Sequence, residues 1–188
     1  MTRNRCFGTG DPVYERYHDE EWGHPVQDAP DERELFERLV LEGFQAGLSW
    51  LTILKKRDAF RKAFKGFVPA KVAKFKDSDV ERLMADESIV RNRAKILAAI
   101  GNARALLTMH EQGLRLEDIF VEHSPPPSDP EEHSPTAPGS TPESAALSKK
   151  LKGLGFRFVG PTTMQATMQA LGMADGHAPE CWLASPPK

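Results

Sequence analysis

The stretch GFRFVGPTT, Gly155 to Thr163, decides how the chain is read. Two glycines bracket Phe156 and Val159, and Pro161 stands where a new helix would begin, because its fixed φ suits a first helical turn. Upstream, Glu143 to Lys152 carries Ala146, Leu147 and Leu151 at helical spacing, with Leu154 just beyond. Downstream, Met164, Met168 and Leu171 repeat that spacing until Gly172. The segment reads as helix, tight apolar hairpin, helix. Backbone N–H groups exposed at such a hairpin suit a phosphate, and a plain turn between two core helices would carry the same pattern.

The helical period recurs through the rest of the chain. Asp31 is placed to cap a helix carrying Leu35, Phe36, Leu39, Val40 and Glu42, ending near Gly47. Ser49 then caps a second, with Trp50, Ile53, Leu54, Phe60 and Phe64 apolar. Short pieces follow from Pro69 to Phe75 and after Ser78. The longest helix is expected from about Ser88 to His110, with Ile89, Val90, Ile96, Leu97, Ile100, Ala103 and Leu107 inward and Gly113 as its stop. Leu116, Ile119 and Phe120 suit one short turn of helix. No β-alternation of useful length appears, so the expected fold is all-α. Residues 123–142 are proline-rich and acidic, without periodicity, and read as a flexible loop inserted within one fold.

The composition is that of a soluble globular protein: 188 residues, 39% hydrophobic and 28% charged. No apolar run approaches the roughly 20 residues that span a bilayer, and MTRNRCFGTGDP lacks the apolar centre of a secretory signal, so a cytoplasmic protein is expected. Net charge is −2, but it is unevenly spread. Nine basic residues lie between Lys55 and Lys76 against Asp58 alone, and further clusters run Arg91, Arg93, Lys95 and Lys149, Lys150, Lys152, Arg157. Such clusters form either a phosphate-neutralising face or ordinary solvated helix faces.

Two constellations carry chemistry. In LEGFQAGLSW, Leu41 to Trp50, Glu42 places a carboxylate on an apolar stripe, where burial is costly unless something pairs with it. Trp50 follows after a glycine break, and DPVYERYHDEEWG adds Tyr14, Tyr17 and Trp22. These rings are either core or a cage in which a flat, cationic, electron-poor ring would stack beside the carboxylate. The second set is Cys6, His18, His177 and Cys181. A disulfide is not expected in the cytosol, whereas Cys2His2 suits a structural zinc ion. His177 and Cys181 would share one face of a helix, though the spacing equally allows two buried thiols and two surface histidines.

YHDEEWG, LEGFQAGLSWLTILKKR, RNRAKILAAIGNARA and LSKKLKGLGFRFVGPTT together resemble the bacterial DNA-3-methyladenine glycosylase I family, over about residues 3–182. The resemblance implies a helix-hairpin-helix fold of two lobes, about 1–30 plus 140–188 and about 31–120, with structural Zn2+ on Cys6, His18, His177 and Cys181 joining the termini. It makes Glu42 the catalytic-site carboxylate that recognises the base, Trp50 its stacking platform, and Tyr17 a hydrogen-bonding wall, with Tyr14 and Trp22 completing the lining. Leu48 would fill the gap left by a flipped nucleotide, while Gly155, Gly160 and Thr162 hold the DNA backbone.

The implied activity is monofunctional excision of 3-methyladenine from alkylated double-stranded DNA by a monomer, initiating base excision repair. The N3-methylated base is cationic and leaves as a neutral molecule, so no general acid is required. The aspartate that many such glycosylases place shortly after the hairpin is missing, since Asp175 comes too late. That leaves Glu42 to select the base and to favour the sugar cation electrostatically. No lysine is placed for a Schiff base. One departure stands out: the family usually has tryptophan two residues after the first cysteine, where this chain has Gly8 after Phe7, and the run to His18 is one residue shorter. A non-catalytic zinc-stabilised helix-hairpin-helix DNA-binding module is the competing reading, and activity on another alkylated purine is a third.

Overall fold

The computed structural model of the chain describes residues 3–24, 31–126 and 139–184, and every regular element among them is helical. Asp11 accepts from the N–H groups of Val13 and Tyr14 and Pro12 fixes the first turn, so α1 runs Pro12–Glu20. Asp31 caps α2 (Glu32–Gln45), and Ser49 caps α3 (Trp50–Ala63) through the N–H of Thr52. A 3₁₀ turn at Lys65–Phe67 leads to the short α4 (Pro69–Val72) and then α5 (Asp77–Ala85). The Asn92 side chain accepts from Lys95 N–H to start α6 (Arg93–Glu111). After α7 (Leu116–Glu122), α8 (Pro142–Gly153) and α9 (Pro161–Ala170) flank the hairpin.

The central element is α2, which packs against α3, α6, α7 and α9. Its apolar stripe joins Phe60 and Phe64 of α3, Ile96 and Ile100 of α6, Leu147 and Leu151 of α8, and Met164 and Met168 of α9 in one buried cluster. Each such side chain contributes on the order of 1.5–3 kcal/mol by leaving water, so the inner face of α2 is held by packing on several sides. Glu42 lies on that face.

Several sequence-based expectations change. Ahead of the helices expected from Asp31 onward stands α1, which Asp11 and Pro12 start although few apolar residues mark it. The long helix begins at Arg93 instead of near Ser88. Asp86 accepts from the backbone N–H and the hydroxyl of Ser88, holding a turn there, and Asn92 sets the true start. Ile96, Ile100 and Ala103 are inward as expected, but Leu97 is 41% exposed, and Leu106 is buried in the core. No helix carries His177 and Cys181; the chain after Gly172 proceeds by turns, one closed by Cys181 N–H to Ala178 O. The expectation of a flexible loop over 123–142 falls largely on residues 127–138, which lie outside the described residues. No described helix is long and apolar enough to cross a membrane.

Candidate active site

Glu42 is 4% exposed on the inner face of α2. Burial pushes its carboxyl up to about 7, and the one described charge opposing that effect is the guanidinium of Arg38, one turn earlier. No described residue donates a hydrogen bond to this carboxylate. A buried carboxyl with a raised pKa and no internal partner is a candidate for a ligand-contacting group, since an isolated buried charge is costly to keep.

Beyond Glu42 the helix ends in an organised break. Lys95 reaches across from α6, and its Nζ donates to the carbonyls of Phe44 at 2.8 Å and Ala46 at 2.6 Å, satisfying groups the helix end leaves unpaired. Gly47 turns the chain at φ 80°, where a side chain would be strained. Leu48 N–H then bonds Gln45 O at 2.7 Å while Gln45 Nε2 donates to Leu48 O at 3.2 Å. Leu48 therefore projects from a closed turn, 39% exposed. Trp50 opens α3, and its indole N–H is buried without a partner among the described residues.

Rings from α1 complete the surroundings. Tyr17 is 2% exposed, its ring centroid 5.5 Å from Trp50 and 6.5 Å from Tyr14. Arg38 Nη1 donates to the Tyr17 hydroxyl at 2.9 Å, and its guanidinium stands 5.6 Å and 5.8 Å from the ring centroids of Tyr17 and Trp50. Burial, partly offset by Arg38, holds the Tyr17 phenol well above its ordinary value, so it stays a neutral donor. Burial and then the charge of Glu42 raise Tyr14 as well. Trp22 keeps other company: its ring neighbours are Phe7 at 4.9 Å, His18 at 5.8 Å and His177 at 4.7 Å. Phe7 bridges the two groups, lying 4.7 Å from Tyr14 and 6.2 Å from Tyr17. It supplies a ring one residue before Gly8. Neither Phe7 nor Arg38 was singled out in the sequence.

The hairpin is fastened to α2 and α6. Gly155 turns at φ 94°, Phe156 and Val159 are buried, and Phe158 is 39% exposed at φ 58°. The buried amide of Asn102 in α6 accepts from Arg157 N–H at 2.8 Å and donates to Arg157 O at 3.0 Å. Gly43, next to Glu42, allows the close approach, since a Cβ there would stand 3.2 Å from that of Phe158. Gly160 and Thr162 open α9, with Thr162 exposed. Lys149, Lys150, Lys152 and Arg157 are exposed around this end of α8, so the hairpin carries positive charge.

The Cys/His residues converge from both ends of the chain. Ligand atoms of Cys6, His18 and Cys181 lie within 4.8 Å of one another. His18 Nδ1 faces Asp19 at 3.0 Å, which leaves Nε2 directed at Cys181 Sγ, 3.4 Å away. Asp19 is itself gripped by Arg5 and held well below the usual carboxylate range. His177 stands beside this trio without joining it, its ring 5.8 Å from that of His18. Its Nδ1 faces Asp175 at 3.0 Å, and its Nε2 is buried with no partner among the described residues. Burial pulls His177 below its ordinary value and pushes the Cys6 thiol up to about 11. Two free cysteines and two histidines with oriented Nε2 atoms, one of them orphaned, fit a tetrahedral cation site, whose charge would favour the thiolates.

Together these features define a helix-hairpin-helix protein with a carboxylate-bearing aromatic site beside a basic hairpin. A family model described as methyladenine glycosylase matches residues 7–184. DNA-3-methyladenine glycosylase 1 of Escherichia coli (strain K12) is 48% identical over 181 residues, covering 94% of this chain and 95% of that protein. The crystal structure of a 3-methyladenine DNA glycosylase I (TAG) aligns with a TM-score of 0.86 at 41% identity, over 97% of this chain and 100% of its own. A solved structure of 3-methyladenine DNA glycosylase I (TAG) from Staphylococcus aureus, described as giving the structural basis of 3-methyladenine recognition, aligns with a TM-score of 0.82 at 36% identity, over 96% of each chain. The chain belongs to the methyladenine glycosylase family.

Proposed function

We propose that this protein is a monofunctional DNA glycosylase that excises 3-methyladenine from alkylated double-stranded DNA and so initiates base excision repair. The observation that carries this is the unpaired, buried Glu42 carboxylate beside Tyr17 and Trp50, in a chain so similar to glycosylases of that name. The damaged base is flipped out of the stack, at less cost than a normal base, and stacks on Trp50. Glu42 accepts from the exocyclic amine, the Tyr17 hydroxyl donates, and Tyr14 lines the approach, with Trp22 set behind Phe7 at its outer edge. Leu48 fills the vacated stack, and the backbone at Gly155, Gly160 and Thr162 holds phosphates.

Hydrolysis needs little further help. The positively charged base takes the electrons of the glycosidic bond and departs neutral, water adds to the sugar and releases one proton to solvent, and the charge of Glu42 favours the cationic sugar meanwhile. Asp175 supports no role in this step, because it is engaged with His177. Strand cleavage through a lysine adduct does not follow, and a borohydride-trapped complex would contradict it. Cys6, His18, His177 and Cys181 hold structural Zn2+, tying the lobe of about 1–30 plus 140–188 together and against that of about 31–120. The protein acts as a monomer, and the cytoplasm is its expected compartment.

Incubating the metal-loaded protein with methylated DNA and separating the released bases by chromatography tests the reading. Free 3-methyladenine is expected. In single-turnover assays Glu42→Gln should slow release by about 10²-fold or more while DNA binding persists. A folded, metal-loaded sample that releases no 3-methyladenine overturns the proposal and favours a DNA-binding module.

A further inference from the structure

Four arginines gather where α2 and α3 face the start of the chain: Arg33, Arg38, Arg57 and Arg61. Three are committed to carboxylates. Arg33 and Arg61 share Glu37, and Arg57 grips Glu21. Arg38 forms no ion pair among the described residues. It turns instead to the Tyr17 hydroxyl and stands over the rings of Tyr17 and Trp50. It also sits four residues before Glu42 on α2, the spacing that puts two helical side chains side by side.

We propose that Arg38 is the positioning residue of the base site: its guanidinium orients the Tyr17 hydroxyl and supplies the countercharge for Glu42. This rests on the function proposed above. A hydroxyl that accepts from Arg38 must direct its own hydrogen elsewhere, so Tyr17 serves as a donor while ionised Glu42 serves as an acceptor. One donor beside one acceptor matches a base edge that offers a ring nitrogen next to an exocyclic amine. A protonated Glu42 or a rotated Tyr17 hydroxyl breaks that match, and Arg38 acts against both.

Other groups leave this task to Arg38. Tyr14 and Tyr17 of α1 face Glu42 as neutral phenols, raised chiefly by burial and further by its charge. Arg57 of α3 is paired with Glu21, and Lys95 of α6 is occupied by the carbonyls of Phe44 and Ala46. Glu117 of α7 is paired with Arg115, and α9 carries no titratable side chain. Burial raises the Glu42 carboxyl and Arg38 is what lowers it.

The test is the pH dependence, from pH 5 to 9, of 3-methyladenine binding and of single-turnover base release by the metal-loaded chain. Arg38→Met should move the acid limb up by about one pH unit, a roughly tenfold loss at pH 6 on top of the pH-independent loss that the unanchored Tyr17 hydroxyl leaves at pH 8.5. Arg38→Lys, which keeps the charge, should leave the limb in place. Arg38→Gln keeps a donor for Tyr17 without the charge and should move the limb as Arg38→Met does. In parallel, an NMR titration of the Glu42 carboxyl in the free protein should show the same upward shift. A limb and a carboxyl titration that coincide in wild type and both uncharged variants, or an equal loss at every pH, overturn the proposal. If wild-type protein neither binds nor releases 3-methyladenine, the function proposed above fails, and the Glu42 titration still decides the role of Arg38.

Discussion

Glu42 ties the site to stability as well as to recognition. Its carboxyl titrates near 4.5 when free and at about 7 in the fold, so between those values the folded chain holds a proton that the unfolded chain has released. The stability tied to that proton is fully present below about 4.5 and is lost as pH rises through about 7. Glu42→Gln, neutral at every pH, should therefore be more stable than wild type at pH 8 by on the order of 2 kcal/mol and indistinguishable from it at pH 4. Urea unfolding at the two pH values measures this, and an equal difference at both would rule it out. The same variant is expected to lose activity, so function here opposes stability. Glu42, Tyr17 and Trp50 were legible in the sequence because a carboxylate breaks an apolar stripe and aromatic residues cluster in short motifs. Arg38 was not. An arginine amid charged residues on a helix reads as a solvated side chain, and no pattern reveals that its guanidinium turns inward to a phenol from another helix.

Among the elements, the hairpin depends on a partner far away in the chain. Asn102 uses both ends of its amide on the backbone of Arg157, much as a neighbouring strand would. Asn102→Ala leaves that N–H and that carbonyl unpaired, which costs about 2–3 kcal/mol for the two bonds and should loosen the hairpin before the rest of the molecule. Native-state hydrogen exchange at residues 157–159 is the readout, and unchanged protection there would refute the clamp. The helix–hairpin–helix was readable from glycine spacing and local apolar period. Asn102 was not, although it lies within RNRAKILAAIGNARA, because an amide inside a helix says nothing about a partner 55 residues on. The misplaced start of α6 has the opposite origin. Ile89 and Val90 continue its apolar period, but the side chains of Asp86 and Asn92 settle the local hydrogen bonds first.

For the whole molecule, the Cys/His cluster joins the first described segment to the last, which are also linked by Trp182 N–H to Asn4 O at 2.9 Å. If zinc occupies it, a strong chelator should lower the thermal midpoint by about 10 °C or more, taking a cross-link of a long loop as worth about 5 kcal/mol. Adding zinc should restore the midpoint, and His177→Ala should reproduce the loss. An unmoved midpoint after the metal is removed would count against a structural ion. The meeting of cysteine and histidine from both ends was legible here, but the geometry was not: four-residue spacing suggested a helix at His177 and Cys181 where the chain makes turns. As a polymer, Cys6 and Cys181 delimit a loop comprising nearly all of the chain. The entropy of closing such a loop grows only logarithmically, by about 0.6 kcal/mol for each doubling of length. Lengthening or trimming residues 123–142, a small part of that loop, barely alters what the closure contributes. The length of the connection between α7 and α8 thus has almost no bearing on what closing the termini contributes.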